Sequence, residues 1–466
     1  MLDAVSYPLS RRDFLRRAGG GFSSLALTAL LAEQGLLAGT PSPHFAPPAK
    51  RVFFLFMSGG PSHLETFEPK PDLQRLHGQP LPASFGAVKT RRGVDKNRLL
   101  ATKRTFKKYG RGGIDVSDLL PNLAACADDL CVLRGCHGDS VTHPESVYLM
   151  NTGSILMGRP SLGAWASYGL GSENRNLPAF VVLPDPAGWV KGGAPAWGNG
   201  YLPSAYQGTL LHGGAAPVLH LKNPPGVSDA QQRRTLDLIN QLNERHQQER
   251  DKDSELSARI AAYELAFRMQ AHAPEAVDLA KETAATRRLY GLDQPETAEF
   301  GTRCLLARRL AERGVRFVQV YCGDTNGWDA HADVEGNHGR LCRQMDRPVA
   351  GLLRDLKARG LLQDTLVVWG GEFGRTPMTE GTNGRDHNPY GFTMWLAGAG
   401  VKGGQALGAT DEVGLRAAEE KCHVNDLHAT ILHLLGLNHL QLTFRHNGRD
   451  ERLTDVAGVV MEKALD

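Results

Sequence analysis

Thr365-Leu366-Val367-Val368-Trp369-Gly370-Gly371-Glu372-Phe373-Gly374-Arg375-Thr376-Pro377 is the stretch on which the fold turns. Its first five residues form an apolar run of the length of a buried strand. The two glycines then let the backbone turn sharply and come close to a ligand. Glu372 and Arg375 follow at once, and after a turn-rich spacer come Gly384-Arg385-Asp386-His387. Ligands in open α/β sheets sit outside the carboxyl ends of the strands. A buried strand that ends in glycine and then presents acid, base and imidazole fits that edge. The competing reading is an ordinary charged surface loop, and the density of ionisable groups behind one buried strand weighs against it.

The same layout recurs elsewhere. Val52 to Met57 is a continuous apolar run, followed by Ser58-Gly59-Gly60-Pro61-Ser62-His63. His63 would stand at the sheet edge, either as a metal ligand or as a loop cap. Val315 to Tyr321 reads as a strand, and Asp329 and His331 follow it. At i, i+2 in an extended loop their side chains point to one side, as a metal pair requires. Further strands are expected at Leu130–Leu133, Ala179–Leu183 and Phe392–Leu396. His137-Gly138-Asp139-Ser140-Val141-Thr142-His143-Pro144 is dense in hydroxyls and imidazoles. Pro144 suits the first turn of a helix that ends at Gly153. Ser140 or Thr142 would cap it, and a hydroxyl there also faces the positive end of the helix dipole, which favours an anion.

Helices are expected at Leu119–Ala127, Glu296–Arg313 and Asn425–Leu435, and along the Leu341, Met345, Val349, Leu352, Leu356 stripe. His338 is placed on the exposed start of that striped helix, and His428 and His433 are read as structural. Strands alternating with helices predict an α/β domain with a mostly parallel sheet. Lys70 to Arg111 reads as a long excursion over the site. Asp185 to Gly214 walls a substrate pocket or packs on the surface. Residues 229–291 read as a helical insert with a structural or partner role.

Charged residues are 22% and hydrophobic ones 41% of the 466, as in an ordinary soluble globular protein. A net charge of +3 gives no support for nucleic-acid binding. The seven cysteines include no CxxC spacing, so neither a zinc site nor a complete disulfide framework is signalled. At the N-terminus, Ser10-Arg11-Arg12-Asp13-Phe14-Leu15-Arg16 resembles the twin-arginine export motif. The apolar segment Phe22–Ala32 behind it is too short for a stable transmembrane anchor, which needs ~20 apolar residues. The expected organisation is a signal peptide at 1–38, a linker at 39–50 and an α/β domain at 51–466. The partner implied is the twin-arginine export machinery, and the location the periplasm or cell surface.

Five motifs in order carry a resemblance: Arg51 to His63, Gly327-Trp328-Asp329-Ala330-His331, Gly371 to Pro377, Gly384 to His387, and Asp426 to Leu432. They resemble the exported bacterial domain of unknown function 1501 family, related to sulfatases and the alkaline phosphatase superfamily. The resemblance implies a three-layer sandwich around a mostly parallel sheet. It also implies one or two divalent metals (Zn, Ca, Mg or Mn) beside a hydroxyl nucleophile.

Carried over residue by residue, the metal set is Asp329, His331, Glu372, Asp386, His387 and His63, and the catalytic set Thr142, His143, Glu372 and Arg375. Glu372 would be a ligand or general base. Arg375 would clamp an oxyanion or pair with Glu372, and Thr142 or His143 would lie nearest the attacking position. The sequence departs from the superfamily pattern. No acid ends the first strand, Asp329 and His331 are two apart instead of four, and no Cys-x-Pro-x-Arg signature is present. The implied function is hydrolysis of a small-molecule or glycan phosphate or sulfate ester. The alternative is a degenerate relative that binds an anionic glycan or serves as a surface scaffold.

Overall fold

The computed structural model describes residues 42–212, 223, 225–249, 254–323 and 327–466. The expected signal peptide and the start of the expected linker lie outside these residues. The rest of the linker stretch is held down: His44 and Ala49 donate backbone N–H groups to the carbonyls of Gly436 and Leu434. Pro43–Asp466 forms one compact unit.

Its centre is a nine-stranded sheet. The strands are β1 (Arg51–Met57), β2 (Leu130–His137), β3 (Phe180–Leu183), β4 (Thr209–Leu210), β5 (Phe317–Cys322), β6 (Thr365–Gly370), β7 (Phe392–Gly398), β8 (Gln405–Leu407) and β9 (Cys422–His423). They lie in the order β8-β2-β7-β6-β1-β5-β3-β4, with β9 also paired to β2. Phe54 of β1 lies opposite Gln319 of β5 and Val368 of β6, both parallel. Only β7 runs against its neighbours, β2 and β6.

Helices cover both faces, which is why β1, β5 and β6 are apolar on both sides, Gln319 being the interior exception, instead of alternating. Phe53, Leu55, Met57, Val320 and Trp369 face one core. It is covered by α5 (Pro295–Glu312) and α6 (Val334–Ala358) through Leu305, Met345, Val349 and Leu352. Val52, Phe54, Phe56 and Leu366 face the other. That core is covered by α1 (His143–Thr152), α2 (Leu162–Leu170) and α7 (Val424–Leu434) through Val147, Trp165 and Ile431. Each such buried aliphatic or aromatic side chain contributes roughly 1.5–3 kcal/mol. The result is an α/β sandwich with a mostly parallel central sheet.

In the insert, α3 (Asp229–Glu249) and α4 (Ser254–Val277) meet through Arg233 and Glu264. Met269, Ala273 and Ala276 of α4 pack into the α5 core. His338 differs from its expected place. It is fully buried, its ring packs edge-on to Trp328, and its Nε2 accepts the Ser62 N–H at 2.8 Å. All seven cysteines are buried free thiols.

The carboxyl ends of β1, β2, β5 and β6 share one rim. On it stands a hairpin of Gly374–Glu380 and Gly384–Asn388. The 70–111 excursion leans on this hairpin through Leu100 N–H to Pro377 O and Thr379 N–H to Arg98 O.

Candidate metal centre

Three chain segments deliver the clustered side chains to this rim. His143 is the first residue of α1; Thr142 holds the N-cap position without the expected side-chain cap bond, and Pro144 sets the first turn behind it. Asp329 and His331 follow β5 in a tightly turned loop. His387 comes from the second hairpin strand, opposite Arg375, where the ladder is irregular between Arg385 and His387. Such irregularities re-aim a side chain. Two glycines make the approach possible. Gly59 has φ 109°, and a Cβ there would lie 2.6 Å from Asp329 N. A Cβ at Gly384 would collide with the His331 carbonyl.

One ligand atom from each of His143, Asp329, His331 and His387 lies within 4.8 Å of the others. His331 Nε2 and His387 Nε2 are 2.9 and 3.1 Å from Asp329 Oδ1, and 3.1 Å from each other. His143 Nε2 is 3.0 Å from Asp329 Oδ2 but makes no aligned hydrogen bond. The opposite nitrogen of each ring is occupied. His143 Nδ1 donates to Glu372 Oε1 at 2.7 Å, His387 Nδ1 to Val141 O at 2.7 Å, and His331 Nδ1 to Glu380 Oε2. With the ring protons on Nδ1, three Nε2 lone pairs and a carboxylate face one point. Two imidazole lone pairs 3.1 Å apart repel unless a cation lies between them. Acceptors on Nδ1 that orient the ring are also what metal-bound histidines have.

The protonation states agree. Burial pushes the Asp329 carboxyl up, but the facing imidazoles of His143, His331 and His387 and then the charge of Arg375 outweigh it and hold it well below the usual carboxylate range. Burial, with Arg375 and His143 nearby, pushes His387 down to about 4. An ionised carboxylate and a neutral imidazole are the forms that ligate metals.

The structure therefore brings together His143, Asp329, His331 and His387, and places the other candidate residues around them. Glu372 stands behind His143: Oε1 accepts from His143 and from Gly59 N–H at 3.0 Å, and Oε2 lies 3.1 Å from the same N–H. This is where the first strand, lacking its acid, meets the site. Arg375 corrects both expectations for it. It is fully buried, it donates to the carbonyls of Gly59, Gly60 and Arg385, and it pairs with Asp329 Oδ1 at 2.8 Å. It does not pair with Glu372, and its burial beneath Asp329 keeps it from the cleft.

Asp386 accepts from the backbone N–H of Arg92 and His387, and its carboxylate groups with His331 and Glu380, not with the four donors. His63 is buried with Nε2 2.9 Å from Gly414 O and belongs to neither group. Thr142 lines the cleft, with its hydroxyl 3.2 Å from Ser140 Oγ.

The cleft above the donors measures ≈ 510 Å³ and is also lined by Arg91, Arg92 and Lys191. Lys191 Nζ is 2.7 Å from Asp329 Oδ2, and Arg92 is 3.3 Å from Glu380. These cations and Glu380 escaped the sequence reading. Lys191 lies in the Gly/Pro/Trp-rich stretch read as a possible pocket wall, which was the available signal.

A family model for a protein of unknown function, DUF1501, matches residues 49–465. The chain belongs to the DUF1501 family. No curated protein matches this DUF1501 chain. Similar solved structures include the phosphonate monoester hydrolase SpPMH from Silicibacter pomeroyi, at 12% identity over 90% of the DUF1501 chain and 76% of the other, TM-score 0.37. A mutant of TAB5 alkaline phosphatase with Mg bound in its M3 site is 10% identical over 84% and 100%, TM-score 0.36. The PsFucS1 sulfatase from Pseudoalteromonas sp. is 14% identical over 88% and 70%, TM-score 0.33. At such identities none of them speaks to the chemistry of the DUF1501 site.

Proposed function

We propose that this DUF1501 protein is an exported, metal-dependent hydrolase of phosphate or sulfate esters. One observation carries the reading: His143, His331 and His387 turn their Nε2 atoms, with the Asp329 carboxylate, onto one point beneath a cation-lined cleft. Three imidazoles and one carboxylate suit Zn²⁺ better than Ca²⁺ or Mg²⁺, which prefer oxygen donors. Bound there, a divalent ion would acidify a water and stabilise the oxyanion charge that develops on the ester.

The chain's own groups do the rest. Glu372 and Val141 hold two rings in the ligating tautomer, and Arg375 fixes Asp329 from behind. Arg91 and Arg92 attract the anionic group of the ester. Thr142, at the N-terminus of the ten-residue α1, sits where the dipole favours that anion. Export rests on the twin-arginine-like Ser10–Arg16 and the apolar stretch behind it, with periplasm or cell surface as destination. Among the described residues no helix is long and apolar enough to cross a membrane. A second reading, binding of an anionic glycan without turnover, is favoured by the Thr142 hydroxyl being engaged with Ser140.

The test is metal analysis of the purified protein together with hydrolysis of aryl phosphate, bis-aryl phosphodiester and aryl sulfate, with and without a chelator. Stoichiometric metal and chelator-sensitive turnover support the hydrolase. Metal without turnover of any ester selects the binder. A protein that takes up no divalent ion sinks the metal-dependent reading.

A further inference from the structure

We propose that Lys191 is an exchangeable counter-cation: its ammonium neutralises Asp329 before a metal is loaded, and is transferred to the anionic group of the substrate once a divalent ion is held. The inference rests on the metal reading above and gives a task to a residue outside the donor set.

Asp329 is oversubscribed. Oδ1 faces His331 Nε2, His387 Nε2 and Arg375, and Oδ2 faces His143 Nε2 and Lys191 Nζ. A carboxylate offers about four lone-pair sites. The imidazoles place their protons on the far nitrogen, toward Glu372, Val141 and Glu380, so the true cationic partners of Asp329 are Arg375 and Lys191.

These two differ in freedom. Arg375 is fully buried and tied to three carbonyls. Lys191 has a side chain 25% exposed and, among the described residues, Asp329 as its one acceptor. Its backbone is steadied by buried Val190 and by the Tyr148 hydroxyl on Gly192 O at 3.0 Å, so the flexible stem is what moves.

A divalent ion among the Nε2 atoms and Asp329 puts two positive charges beside that ammonium. Like charges at such range repel strongly where water is scarce, and the mobile partner leaves. Among the described residues the cleft offers it no other carboxylate, since its remaining charged lining is Arg91 and Arg92. The next anion within reach is the phosphate or sulfate group of an incoming ester. Metal loading and anion binding are thereby ordered, metal first.

The experiment compares the parent chain with Lys191→Met and Lys191→Arg. Affinity for Zn²⁺ alone is read by competition with a chromophoric chelator. Inorganic phosphate and sulfate are then titrated calorimetrically into the zinc-loaded proteins, and thermal midpoints check folding. Lys191→Met is expected to bind Zn²⁺ about tenfold more tightly and either anion about tenfold more weakly, the effect of one partly screened charge. Lys191→Arg, which keeps the charge, is expected to follow the parent in both. Unchanged zinc affinity in Lys191→Met overturns the exchange, and so does unchanged anion binding. A parent chain that binds no Zn²⁺ overturns the metal reading itself, and this proposal with it. That outcome is distinct because it is seen before any variant is compared.

Discussion

Replacing Glu372 by Gln separates a ligand from a buttress. Both Glu372 and His143 are buried, and the 2.7 Å contact between Oε1 and Nδ1 holds the ring proton away from the donor cluster. Gly59 N–H lies 3.0 and 3.1 Å from the two carboxylate oxygens. In the carboxylate Oε1 accepts from both His143 and Gly59 while Oε2 also faces the Gly59 N–H, whereas an amide puts its NH₂ group at one of these two places. If its oxygen stays on His143, the NH₂ group faces the Gly59 N–H, donor against donor, at a cost of about 1–3 kcal/mol. If it flips, the NH₂ group donates to Nδ1, the proton moves to Nε2, and the lone pair needed for the metal is lost. Either way metal affinity is expected to fall about 10–100-fold, or roughly 1.4–2.7 kcal/mol, with secondary structure intact. Competition against a chromophoric chelator measures it, with circular dichroism as the folding control. Parent-like affinity refutes the buttress, and a loss as deep as that of His387→Ala makes Glu372 a ligand after all.

His387→Ala removes a donor outright and is expected to abolish stoichiometric zinc, as read by elemental analysis; unchanged zinc would remove His387 from the site. Gly384→Ala is expected to lower stability by about 3 kcal/mol, the upper end for overpacking, and to weaken metal binding by pushing the His331 carbonyl away; chemical denaturation and the chelator assay check both. Arg385→Leu strands Glu65, fully buried with it at 2.7 Å, and is expected to cost about 3–5 kcal/mol in the same denaturation assay. Acid should destabilise the fold through His338 and His428, which burial pushes down from 6.5 to about 4. Between those values the unfolded chain binds the extra protons. Stability is therefore lost as pH falls from about 6.5 towards 4, by up to about 3 kcal/mol per histidine; thermal midpoints across that range, compared with His428→Gln, test it.

The framework was legible because burial on both faces writes itself as unbroken apolar runs. Val52–Met57 and Leu366–Trp369 show this, Val315–Tyr321 shows it with Arg316 and Gln319 as interruptions, and the α6 stripe shows helical spacing equally well. Asp329, His331 and His387 were legible as candidates because each follows a glycine-marked turn at the sheet rim. Their convergence with His143 depends on strand order, which no local pattern carries. Glu372 stood out by position, but whether it points at the cleft or at the ring of His143 is decided by a Gly59 N–H more than three hundred residues away. Arg375 reads as a substrate clamp or a partner of Glu372 because the Gly59 and Gly60 carbonyls that hold it are remote in sequence. His338 was misplaced for the same reason: the Trp328 and Ser62 contacts that bury it lie outside its own helix. Lys191 and Glu380 were passed over because single charges in loops and on hairpins are ordinarily solvated.

The ribbon of residues 374–388 has a practical consequence. His387 is part of it, and His331 is gripped by it twice, through Glu380 and through the bare backbone of Gly384. Two of the three imidazoles therefore answer to a single short cassette, while His143 answers to a helix on another segment. Grafting a ribbon of different length or sequence onto the ends of β6 and β7 would retune two coordination positions in one stroke and leave the third as a fixed reference, a modularity that an engineer of this scaffold can exploit.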